Sequence, residues 1–163
     1  MTAVAVMAFG FASAQMEEEG LKAGIHLGAP IGNAADFTSF NFGVDVGYSW
    51  DTADNMSLGI ATGYTHFIGK EYTAEGVFET GEAKDLGYVP VAGTVHYSLT
   101  ESIFLGADVG AVFYVGSGSA DNGLYLQPKA GYQTEKMEFF VSYKSMDIAD
   151  GIATVGIGAA YKF

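Results

Sequence analysis

The chain has 163 residues and a formal net charge of −12, with 49% hydrophobic but only 16% charged residues. An ordinary soluble domain carries roughly 25% charge, and seven Lys without one Arg cannot neutralise a run of phosphates, which argues against nucleic acid as a partner. Cysteine is absent, so disulfides and thiolate metal sites are excluded. No uninterrupted apolar run reaches the ~20 residues of a transmembrane helix, so a membrane crossing has to be made by strands.

Met1 to Ala14 runs through the apolar stretch Ala3 to Phe11 into Ala12-Ser13-Ala14, the pattern of a secretory apolar region with a small-residue cleavage site. Residues 1–14 are therefore expected to be a signal peptide. No Lys or Arg precedes the apolar run, so the basic beginning is expected to lie upstream of Met1. Residues 15–20, with Glu17, Glu18 and Glu19, form a short periplasmic lead, and 21–163 the barrel domain.

From Leu21 onward, eight alternating segments are separated by turn residues: Leu21 to Gly32, Ser39 to Trp50, Asn55 to Ile68, Leu86 to Ser98, Ser102 to Gly116, Gly123 to Gln133, Met137 to Met146, and Ile152 to Phe163. A strand tilted by about 45° crosses the hydrocarbon core in ~9 to 11 residues, and every segment is long enough. Connections two, four and six are short, whereas that from Gly69 to Asp85 is long. Outer-membrane barrels have short periplasmic turns and longer external loops, so both termini are expected in the periplasm. Pro90 and Pro128 each remove a ladder donor, and a bulge is expected near one of them.

Alternation separates two faces. In the second segment Phe40, Phe42, Val44, Val46, Tyr48 and Trp50 share one face, and Asn41, Gly43, Asp45, Gly47 and Ser49 the other. Over all eight segments the apolar face carries no Asp, Glu or Lys, and its only non-aromatic polar side chains are Thr62, His66 and Ser145. A charge on a lipid face costs ~2 to 4 kcal/mol at mid-bilayer, which is the selection that empties it. Tyr48, Trp50, Tyr97 and Tyr132 fall at the periplasmic ends with Tyr161 and Phe163, as an aromatic girdle should. The predicted fold is all-β: an eight-stranded, antiparallel, up-and-down transmembrane barrel.

The C-terminal run Gly158-Ala159-Ala160-Tyr161-Lys162-Phe163 resembles the assembly signal of outer-membrane barrels, and with the eight segments the chain resembles the small OmpA/OmpX-like barrels of the porin-like outer-membrane superfamily. The resemblance implies location in the outer membrane, contact with lipid bilayer and lipopolysaccharide, and insertion by the barrel-assembly machinery, with Gly158, Tyr161 and Phe163 as the matched positions. Gly156 departs from the family pattern, which usually opens on a polar residue.

Catalytic chemistry is weakly represented. His66 lies on the lipid-facing rim, where some outer-membrane enzymes place a catalytic histidine, but its own strand offers no outward Ser as nucleophile. It reads as a rim histidine beside Tyr64. Glu71, Glu75, Glu79, Glu82 and Asp85 in the long loop match no calcium-loop spacing and read as a solvated acidic loop bridged to lipopolysaccharide by divalent cations. No catalytic, cofactor or metal site is assigned, and the chain is read as a non-catalytic monomer serving envelope structure or external contacts. A lipid-modifying enzyme and a small pore are the alternatives.

In the lumen, aligning each hairpin about its loop centre places opposite charges together: His26 with Asp45, Asp108 with Lys129, and Glu138 with Lys162. Lys22 is expected near Lys162 across the barrel closure. Such pairs would form a polar plug.

Overall fold

The computed structural model describes residues 20–69, 71–73, 80–82, 85–116, 122–148 and 151–163. The segment expected to be a signal peptide, residues 15–19 of the expected lead, the middle of the long loop and residues 117–121 and 149–150 lie outside them.

Each segment rich in β-branched and aromatic residues forms a strand: β1 (Gly20–Ile31), β2 (Thr38–Ala53), β3 (Met56–Gly69), β6 (Leu86–Ser98), β7 (Ile103–Tyr114), β8 (Gly123–Gln133), β9 (Met137–Met146) and β10 (Ile152–Lys162), with the short hairpin β4 (Glu71–Thr73) and β5 (Thr80–Glu82) inside the long loop. The eight long strands close into one antiparallel barrel, β1-β10-β9-β8-β7-β6-β3-β2, with β1 also paired to β2. Closure leaves no free strand edge in the barrel wall.

Short turns gather at the end that carries both termini. Thr100 Oγ1 accepts from the backbone N–H of Ile103 at 3.0 Å, and Thr134 Oγ1 from that of Met137 at 3.0 Å, so each hydroxyl satisfies a donor that the ladder cannot. At the opposite, loop end, one helical turn, α1 (Ala34–Phe37), links β1 to β2.

Neither proline produces a bulge. Between β3 and β6 the pairing skips from Thr62↔Val91 to Thr65↔Tyr88, and between β8 and β9 from Leu126↔Ser145 to Lys129↔Ser142, both without a change of register. The missing N–H opens a gap, but strands held on both sides keep their alignment. Thr62 Oγ1 fills part of the first gap by donating to the Pro90 carbonyl at 2.8 Å. The irregularities lie instead at the two ends of β2, between Thr38 and Phe40 and between Asp51 and Ala53.

One cluster of buried side chains sits inside the barrel toward the loops, formed by Phe67, Tyr88, Ala92, Val112, Tyr125, Met146 and Ile148, while the equally buried Phe104 lies nearer the termini. Phe67 and Tyr88 meet edge to face at 5.9 Å between ring centroids, a favoured aromatic geometry.

Candidate functional site in the barrel lumen

The inward phase of the strands delivers charges to two layers. In the layer nearer the loops, the His26 Nδ1–H donates to Asp45 Oδ2 at 2.6 Å, and Lys144 Nζ donates to His26 Nε2 at 3.0 Å and to Thr65 Oγ1 at 3.2 Å. This chain of donors fixes the imidazole tautomer, since Nε2 must accept. Gly43 makes room for the ring: a Cβ there would lie 2.6 Å from His26 Cε1. Beside this group Lys129 Nζ donates to Asp108 Oδ2 at 2.9 Å and lies 5.6 Å from the centre of the Phe140 ring. Tyr125 donates its hydroxyl hydrogen to Gln127 Oε1.

The layer nearer the termini is centred on Glu138. Lys22 Nζ lies 2.7 Å and Lys162 Nζ 3.4 Å from Glu138 Oε1. His96 donates from Nε2 to Gln133 Oε1 at 2.9 Å and stacks on Phe104 at 4.4 Å between centroids, while Gln133 Nε2 donates to Ser98 Oγ at 2.9 Å.

The seven residues expected to pair in the lumen all face inward, but the heights differ from those given by aligning loop centres. His26 is opposite Gly43 and Asp45 opposite Gly24; Asp108 is opposite Gln127 and Lys129 opposite Gly106. Each pair is therefore made diagonally, two residues off direct opposition, a reach that long side chains span. Glu138 is opposite Ala160, and its nearest cation is Lys22, two strands away, rather than Lys162. Lys22 and Lys162 are directly opposed across the closure, and the shared carboxylate offsets their repulsion. Lys144 was missed as a partner of His26. Its phase, shared with Glu138 and Ser142, placed it inside, but no local spacing links β9 to β1.

Outward, the barrel is inverted relative to a soluble protein. Leu124 is 69% exposed, Ile157 61% and Val141 60%. Tyr48 packs on Trp50 at 5.1 Å and Tyr161 on Phe163 at 5.0 Å near the termini; Tyr97 and Tyr132 are exposed at the same end. Gly158, of the terminal motif, faces inward beneath Phe140. At the loop-end rim Tyr64 donates from its hydroxyl to His66 Nδ1 at 3.1 Å, and His66 Nε2 lies 3.3 Å from Asp85 Oδ2. The carboxylate beside His66 thus comes from Asp85, the residue just before β6.

Among the described residues no group of three or more His, Asp or Glu side chains could hold a metal ion. No family model and no curated protein matches the chain. Solved structures do match. The attachment invasion locus protein Ail of Yersinia pestis is 14% identical, with a TM-score of 0.59 over 89% of this chain and 97% of that one. A de novo designed transmembrane β-barrel is 16% identical, with a TM-score of 0.55 over 92% and 100%. The outer membrane enzyme PagL is 17% identical, with a TM-score of 0.57 over 85% and 97%. At these identities the likeness concerns architecture, and the chain has the fold of the small eight-stranded outer-membrane β-barrels.

Proposed function

We propose that this chain is a non-catalytic integral protein of the outer membrane, serving envelope structure or contacts made by its external loops. The supporting observation is the reversal of polarity: uncharged, exposed side chains outside and ion pairs within, where a soluble barrel would need charge on its outer wall. The termini and short turns face the periplasm, the long loops face outward amid lipopolysaccharide, and the barrel-assembly machinery reads the terminal Tyr161 and Phe163. A closed wall without edges suits a monomer. The ion pairs and the apolar cluster block a continuous passage through the lumen, so the protein forms no steady channel. An epitope inserted between Thr73 and Thr80 should be labelled on intact cells, with the protein fractionating with the outer membrane; labelling only after lysis would reverse the topology.

A second reading, a rim enzyme acting on lipid, draws on the Tyr64–His66–Asp85 arrangement, in which a carboxylate orients an imidazole against a hydroxyl. A lipid A mass spectrum from cells with and without the protein separates the two readings: an acyl-chain difference that His66→Ala abolishes favours the enzyme.

A further inference from the structure

The lumen holds a polar-lined cavity on one side and a packed apolar cluster on the other. Between the two ionic layers lies a cavity of about 80 Å³, lined by Lys22, His96 and Glu138 toward the termini and by Asp45, Asp108 and Lys129 farther in. A water molecule needs ~10 to 15 Å³ of such space, so several fit. The Asp45 side chain keeps 30% of its exposure and that of Lys129 19%, although both lie inside the barrel. Asp108 Oδ1 has no hydrogen-bond partner among the described residues, and a wetted cavity supplies the donor that a buried carboxylate requires.

Toward the loops the cavity ends at the apolar cluster, whose Ala92 and Tyr125 line it and whose Phe67 and Val112 are fully buried. An amide borders the cluster. Asn41 is directly opposite Phe67 in the β2–β3 ladder and buried, and neither its Nδ2 nor its Oδ1 has a partner among the described residues. It is also clamped from the other side: a Cβ at Gly28 would lie 2.3 Å from Asn41 Oδ1. A closed seal therefore leaves an amide desolvated and unpaired, whereas an open one hydrates it.

We propose that the apolar cluster is a gate and Asn41 its destabilising element, so that the barrel transiently passes water and small monovalent ions. Narrow hydrophobic constrictions close by dewetting, and a polar group inside one favours the wet state. An eight-stranded interior is only just wide enough for side chains to fill, which restricts the solute to small ions. The inference rests on the membrane-barrel reading and deepens it.

The test uses the full barrel chain refolded into phosphatidylcholine bilayers in potassium chloride, each variant checked for the heat-modifiable folded band. The unaltered chain should show brief, infrequent potassium-conducting openings. Asn41→Leu keeps the branching at Cγ but removes the unpaired amide, and should lower the open fraction about tenfold. Phe67→Ala should raise it by a similar factor; Met146→Ala serves if truncating Phe67 prevents folding. Since the native chain lacks cysteine, Thr94→Cys should react with a small charged thiol reagent at least about tenfold faster than Val112→Cys, the difference expected between wetted and sealed sites. Silence of the unaltered chain, an open fraction unchanged in Asn41→Leu, or equal labelling of the two cysteines would overturn the gate. Failure of the unaltered chain to give a folded band would instead overturn the membrane-barrel reading.

Discussion

Lys22 and Glu138 stand 2.7 Å apart, nitrogen to oxygen, across the strand that lies between theirs. The Glu138 side chain is only 6% exposed, so the pair ties β1 to β9 inside the wall where the first and last strands close the barrel. A buried carboxylate stripped of its cations is costly, because nothing replaces the lost solvation.

Removing one partner should therefore do more harm than removing both. Lys22→Ala leaves Glu138 with the more distant Lys162 and should destabilise by ~3 kcal/mol, near the lower end for breaking a buried pair. The double variant Lys22→Ala, Glu138→Ala should cost less than the sum of the singles. Urea unfolding in lipid vesicles measures the cycle. The coupling energy for Lys22 with Glu138 should exceed that for Lys162 with Glu138, and the reverse order would contradict the 2.7 and 3.4 Å separations.

The Lys144 amine determines which His26 nitrogen carries the proton. With Lys144 donating to Nε2, the ring hydrogen stays on Nδ1 facing Asp45. Nitrogen-15 spectra of the folded protein should show a single Nδ1–H tautomer for His26, and Lys144→Met should alter the Nε2 shift while leaving the Asp45 contact. An Nε2–H tautomer in the unaltered protein would disprove the donor chain.

The outer wall should reject charge. Ile157 lies mid-strand on β10 and is 61% exposed on the outer face, so Ile157→Lys should destabilise the barrel in bilayers by ~2 to 4 kcal/mol. The same change in a water-facing side chain is close to neutral. A neutral Ile157→Lys in vesicles would refute immersion of this face in lipid.

Phe163 connects the terminal motif to the girdle. Its backbone N–H donates to the Leu21 carbonyl at 3.0 Å, and its ring meets Tyr161 edge to face. Deleting Phe163 should lower the heat-modifiable fraction in cells severalfold without changing total synthesis or export, whereas Phe163→Tyr, which keeps an interfacial aromatic, should retain most of it. Equal folded yields in the deletion would refute a role in assembly.

Much of this fold was legible in the residues. Period-two alternation assigns every strand residue to a face, so His26, Asp45, Asp108, Lys129, Glu138, Lys162 and Lys22 were identifiable as inward and the face without Asp, Glu or Lys as outward. Turn residues marked the ends of the strands, and the last three residues carried the aromatic pair of the terminal motif. Height along the barrel axis is a different quantity. Closing eight strands into a barrel requires tilt and stagger, and no single strand encodes its stagger against strands it does not adjoin. For that reason only the tertiary structure decided that Glu138 meets Lys22, that Lys144 reaches His26, that Asp85 stands behind His66, and that Phe67, Val112 and Met146 converge into one apolar cluster with the unpaired Asn41 opposite Phe67.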